Sequence, residues 1–244
     1  MLKLIETEFM KLRRRKLVWL MLLTAFIMPV MAFLLFRYRG DTDVAPMQFY
    51  KWSAFNYTFF IFLPIVLGVL CTMLVHEEKQ NNILKQLWII PVGKLEYFFS
   101  KFFVVLIYSV GFMLLTAIAS IAFSVLPGYV TFDWGSILYL LEKCIEIGVL
   151  TAFAMLPILS IAASRKGYIL PVCVTLVYVL CVFILMTINM YSLPLTSAAA
   201  IVMRNKDIPG ITFTQAINIP LALLSICIWD IGAVLLAKIT LKRE

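Results

Sequence analysis

The sequence holds one histidine, His76, in 244 residues, which removes metal centres built on two or more histidines, the H-E-x-x-H protease helix among them. It has no G-x-x-x-x-G-K-[ST] run. Gly93-Lys94 has Trp88 where the first glycine belongs and Leu95 where Ser or Thr belongs, so this chain cannot cradle a nucleotide phosphate in a P-loop. Five cysteines (Cys71, Cys144, Cys173, Cys181 and Cys227) form no C-x-x-C pair and sit in or beside apolar stretches. They signal neither a disulfide framework nor a zinc site and read as small hydrophobes. Charge is also scarce, at 14% of residues, although the net value is +8.

What is abundant is apolar sequence. At 63% hydrophobic residues the chain lies far above the roughly 45–50% of a soluble domain, so lipid is the solvent for most of it. The cations stand in short segments beside apolar runs, the pattern that encodes membrane orientation; a nucleic-acid partner would need them along one soluble face. The expected fold is all-α, without a nucleic-acid role.

Residues 1–16 place Leu2, Ile5, Phe9 and Leu12 at helical spacing among Lys3, Lys11, Arg13, Arg14, Arg15 and Lys16, the pattern of an amphipathic helix on an anionic membrane surface. The next run, Leu17 to Phe36, is too long for a signal peptide and ends in Arg37-Tyr38-Arg39 without a small-residue cleavage site. Further runs at about 55–75, 102–126, 144–163, 168–190 and 219–237 each approach the roughly 20 residues that cross a 30 Å hydrocarbon core. Six spans result. Of the 21 Lys and Arg, 15 fall on the side of the N-terminus, the second and fourth loops and the tail. By the positive-inside rule both termini and the 76–101 loop are expected in the cytoplasm.

That loop is the longest polar island between two spans on the basic side. Within it Leu84, Leu87 and Trp88 fall at i, i+3 and i+4, with Lys85 and Gln86 between them, so a short helix would show one apolar and one basic face. Pro91 closes it, since the residue before a proline is pushed out of helical geometry. The plain alternative is a helix lying on the membrane surface. On the outer side, Arg37 to Ala54 reads as a polar loop with Tyr50, Trp52 and Tyr57 as an aromatic belt. Tyr191 to Asn218 contains an apolar stretch, 193–203, too short to span; it reads as a re-entrant or interfacial helix whose first turn Thr196 or Ser197 can cap. Pro29, Pro64, Pro157 and Pro171 suggest kinks.

Four acids carry the chemical candidates. Glu77-Glu78 is the motif of intramembrane prenyl-type proteases, but those need histidines from other spans; the plain reading is solvated carboxylates near a helix N-terminus, where they offset the dipole. Glu146 stands one turn into the fourth span beside Glu142 and Lys143, where it is expected to stay hydrated. Asp230 falls near the middle of the sixth, a costly place for an acid, and is a candidate for a substrate or proton role or for a structural hydrogen bond.

The six spans, the basic amphipathic start and the outer short helix together resemble the membrane subunits of ABC-2 type transporters. Glu77-Glu78, Ile83-Leu84, Leu87, Pro91 and Lys101 follow, in order, the pattern of that family's coupling segment, as does Glu8-Phe9-Met10-Lys11-Leu12-Arg13-Arg14 at the start. Asn81-Asn82 departs from it where Gly-Thr is common. The small size is most similar to bacterial permeases for immunity or resistance to lantibiotics and bacitracin. The resemblance implies a non-catalytic permease in the bacterial cell membrane, with a second permease chain, identical or related, and two ATP-binding cassette subunits that carry ATP and Mg; this chain would bind no cofactor itself. It implies Glu77 and Glu78 as polar contacts of the dock, with Leu84, Leu87 and Trp88 as apolar anchors ahead of Pro91. An amphipathic peptide or lipid-like molecule would be the substrate. The rival readings are an ion-driven secondary transporter using Asp230 and a membrane scaffold without transport.

Overall fold

Backbone amides have no water to bond with in hydrocarbon, so a chain this apolar must satisfy them within helices. A computed structural model describes residues 2–13, 15–40, 44–80, 93–165, 167–205 and 217–242. Every described element is a helix. Six are long and apolar enough to cross a membrane: Lys16–Arg39, Pro46–His76, Lys94–Val125, Trp134–Ser164, Ile169–Ile188 and Ile219–Thr240.

The first element, α1 (Leu2–Arg13), precedes the spans. Span 1 is α2 (Lys16–Leu23) and α3 (Ile27–Arg39), joined by a tight turn at Thr24–Phe26. That turn lies just before Pro29, which lacks an N–H and leaves the Ala25 carbonyl without its helical donor. Span 2 is α4 (Pro46–Tyr50) and α5 (Leu63–Gln80), with wide π turns at Lys51–Phe55 and Thr58–Phe62 between them. Here Pro64 supplies the same cause. Span 3 is the unbroken α6 (Lys94–Val125). Span 4 is α7 (Trp134–Ala154) and α8 (Leu156–Ser164), broken at Met155 ahead of Pro157. Asp133 accepts from the Ser136 amide at 2.9 Å and caps α7, so that helix reaches back beyond the apolar run. Span 5 is α9 (Ile169–Ile188), with Pro171 in its first turn; α10 (Pro194–Val202) and α11 (Ile219–Lys242) follow.

Span 2 is the centre. Its apolar window is 78% buried, against 28%, 22% and 22% in spans 1, 5 and 6, which therefore form the outer wall. Close approach is built on small residues. Gly68 of α5 faces Thr175 of α9 so tightly that a Cβ would overlap it. Ser109 of α6 donates to the Gly148 carbonyl of α7 at 2.7 Å, and a Cβ on Gly148 would come 3.0 Å from the Val110 Cα.

The polar loop expected over residues 37–54 is helical from Pro46 onward. Pro46 is pre-set for a first helical turn, and the segment is held by aromatic packing: Phe49 and Tyr50 are fully buried, with the Phe36 and Phe49 rings stacked at 5.5 Å. Where a short outer helix is expected, α10 has all nine residues buried. Thr196 makes its cap, accepting from the Leu193 N–H at 3.2 Å, while the Ser197 hydroxyl has no partner among the described residues.

Candidate functional site

The sequence-derived dock lies largely outside the described residues: Leu84, Leu87, Trp88 and Pro91 do, and so does the side chain of Glu77. The two stems of the 76–101 loop are described, and they meet at one place. The C-terminal turn of α5 carries Glu78, and the first turns of α6 carry Tyr97 and Lys101. The α1 helix packs against α6 and presents Glu8 from the same face as the buried Leu12.

These side chains close a ring of alternating charge. Lys101 Nζ lies 2.5 Å from Glu8 Oε2 and 2.7 Å from Glu78 Oε1. Lys11 Nζ lies 2.8 Å from Glu8 Oε1 and 2.7 Å from Glu78 Oε1. The Tyr97 hydroxyl donates to Glu78 Oε2 at 2.5 Å, and the Lys101 ammonium also sits over the Tyr97 ring at 5.1 Å. The side chain of Lys101 is 1% exposed, and those of Glu8 and Glu78 are 6% and 8% exposed, whereas Lys11 is 47% exposed and forms the solvent-facing edge. Two carboxylates and two ammoniums cancel, which is the condition for keeping charges out of water.

The electrostatics follow from this geometry. Burial by itself would raise the pKa of Glu78, but the charge and hydrogen bond of Lys101, with the bonds from Lys11 and Tyr97, outweigh it and hold the carboxyl at about 2. Partial burial disfavours the charge on Lys11, and its bonds to Glu78 and Glu8 overcome that and raise its pKa. Glu78 and Lys11 are therefore charged at neutral pH.

The plain sequence reading of Glu78 is thus corrected. It is neither solvated nor at a helix N-terminus: it ends α5, buried, and holds two lysines. Its contacts among the described residues are all internal to the chain. Tyr97 is not singled out by sequence reasoning, and Glu8 and Lys11 enter it only within the N-terminal amphipathic and family-resembling patterns, without partners. A signal was present, since Glu8 falls on the apolar stripe of α1 between Ile5 and Leu12, and Lys101 follows Phe98 and Phe99 inside an apolar run.

A family model described as ABC-2 family transporter protein matches residues 4–182. The chain belongs to that family. No curated protein matches it. The match covers α1 from Leu4 onward, the loop stems and every member of the ring, so the ring belongs to the membrane component of an ABC-2 transporter, a component that is generally non-catalytic. The family also implies an ATPase partner. Among the described residues no group of His, Cys, Asp and Glu could hold a metal ion.

At the opposite ends of the spans the ABC-2 chain carries a second ion cluster. Glu146 is bound through Oε2 by Lys143 at 2.7 Å and through Oε1 by Arg204, just beyond α10. Lys143, 4% exposed, also reaches the Val202 carbonyl at 3.5 Å. Glu146 keeps 20% of its side chain exposed, and both its oxygens are engaged in ion pairs that pin the C-terminal end of α10 to α7. The N-terminal end of α10 is pinned by Tyr178 of α9, whose hydroxyl donates to the Ala154 carbonyl at 3.0 Å and accepts from the Leu195 N–H at 3.1 Å. Asp230 lies in α11, remote in sequence from both ion clusters, and its Oδ1 is buried without a partner among the described residues.

Proposed function

We propose that this chain is the permease subunit of an ATP-binding cassette transporter that expels an amphipathic peptide antibiotic or a lipid-like molecule, driven by separate ATPase subunits docked on the 76–101 loop. The observation that carries the reading is the charge ring. It ties both stems of that loop to α1 through buried ion pairs, so a push on the loop is passed to α1 and to spans 2 and 3 as one body. In this reading Leu84, Leu87 and Trp88 form the apolar face that enters a groove on the ATPase, with Glu77 beside them and Pro91 ending the segment. Two ATPase subunits hold ATP and Mg, and their closure rocks this bundle against a second permease chain, identical or related. The bundle sits in a bacterial cell membrane with the loop and both termini in the cytoplasm, as the 15 Lys and Arg on that side favour.

The test is purification of the tagged chain in mild detergent, with mass spectrometry and ATPase assay of what co-elutes. A stoichiometric P-loop subunit, lost when Leu84, Leu87 and Trp88 are all changed to alanine, is the expected result. A chain that purifies without any ATPase would overturn the reading.

A further inference from the structure

The apolar stripe of α1 is spent inside the protein. Leu12 is buried, Ile5 and Phe9 are partly buried against the core, and the helix packs on α6. Such a stripe is what an amphipathic helix inserts between lipids, so insertion is not what holds this one to the bilayer.

The elbow between α1 and span 1 offers something else. Arg13 ends α1 and Lys16 opens α2, and both side chains are exposed. Lys16, Leu20 and Leu23 fall at i, i+4 and i+7, on one face of α2, and the two leucines are 65% and 64% exposed. Trp19, also exposed, donates from Nε1 to the Arg13 carbonyl at 3.3 Å, which fixes its ring against the last turn of α1. An exposed apolar face in a span is a face for acyl chains, and cations at its end stand at headgroup level. Arg13 lies about 200° around the helix from Lys11, on the other side from the charge ring. The exposed acid of α1, Glu6, is two turns back, about 10 Å along the axis and beyond a Debye length at physiological salt.

We propose that this elbow binds the headgroup of an anionic phospholipid: Arg13 and Lys16 take the phosphate, and the acyl chains lie along Leu20 and Leu23 beside the Trp19 ring. Charge selects the lipid. A zwitterionic headgroup brings its own cation next to the phosphate, and the two basic side chains repel it; an anionic phosphodiester brings none. The site uses no residue of the 76–101 loop or of the ring, so it does not rest on the permease reading.

The test puts the full chain in vesicles of phosphatidylcholine and phosphatidylglycerol, one lipid or the other carrying brominated acyl chains, which quench tryptophan on contact. The Trp19 signal is that of wild type less that of Trp19→Phe. It should report phosphatidylglycerol enriched at least about fivefold over its share of the bilayer, the factor expected of one basic residue at a membrane surface. Arg13→Gln with Lys16→Gln should lower the enrichment below about twofold. Lys238→Gln, which removes an exposed cation near the end of span 6, should leave it unchanged. In wild type, phosphatidylglycerol with a photoreactive headgroup should label the segment from Arg13 to Leu23.

Equal quenching of Trp19 by the two lipids, or an enrichment that survives the double variant, overturns the site. So does an equal loss in Lys238→Gln, which would mean diffuse attraction to the whole surface, and so does labelling only elsewhere, which needs no variant. Absence of Trp19 quenching by either lipid would mean that a second copy covers this face. Reversal of the enrichment by glycerol 3-phosphate at constant ionic strength would mean a site for free phosphate. Each of these also overturns the lipid.

Discussion

Lys101 and Glu8 are 93 residues apart in sequence and 2.5 Å apart in space, and the bond is buried. It makes α1 a fixed part of the loop base. A helix that the sequence reads as lying on the membrane surface is thereby fastened at one point to the start of span 3.

Removing the shared cation should be the most damaging change to this site. Lys101→Met leaves Glu8 and Glu78 buried as like charges with only Lys11 between them, and breaking a buried pair in this way costs about 3–5 kcal/mol. Denaturant unfolding in detergent should show a loss of that size. Adding Glu8→Gln to the same chain should recover part of it by removing one of the stranded carboxylates. Unchanged stability in Lys101→Met would dissolve the ring as a structural unit.

The ring also sets a pH limit. The folded pKa of Glu78 is depressed from 4.5 to about 2, so its stabilising contribution is fully present above the ordinary carboxylate range. It is lost as pH falls from 4.5 towards 2, where the folded form finally takes up its proton. Melting temperature in detergent should fall across that window in wild type. In Glu78→Gln the fall should be smaller, starting from a lower plateau at neutral pH.

Gly68→Ala tests the contact between spans 2 and 5. The new methyl would overlap the Thr175 side chain, and overpacking of this kind costs about 1–3 kcal/mol. Thr175→Ala in the same chain removes the overlapping methyl and hydroxyl and should restore part of the loss. Additive effects in the double variant would mean that the two residues do not touch.

Tyr178→Phe should loosen α10. The change strands a buried carbonyl at Ala154 and an amide at Leu195, each costing about 1–3 kcal/mol. The Leu195 amide should then exchange with deuterium faster than in wild type, while amides in mid-α6 stay unchanged.

Much of the scaffold was legible in the sequence because hydrocarbon imposes one rule on every residue. Runs of apolar side chains give the spans, and prolines 29, 64 and 157 mark the three breaks because a missing N–H has the same effect wherever it falls. The site was harder to read. Glu8, Glu78 and Lys101 come from three helices, and nothing in local spacing says that their registers coincide. Only the cost of a lysine inside an apolar run says that Lys101 needs a partner; it does not name one. The helix from Pro46 was hidden for a related reason, since Phe49 and Tyr50 look like interfacial aromatics until Phe36 is known to lie against them. The short helix α10, by contrast, is visible in composition alone.

The ring also imposes an order on biogenesis. Glu8 leaves the ribosome long before Lys101, and until span 3 is in place it has no buried cation to meet. During that interval α1 lacks the buried cation that holds Glu8 in the finished fold. The second span brings Glu78 and the third brings Lys101, which completes the ring around Glu8 and Lys11. A chain truncated before Lys101 would therefore keep the exposed Lys11–Glu78 bond but lose the buried cation between Glu8 and Glu78.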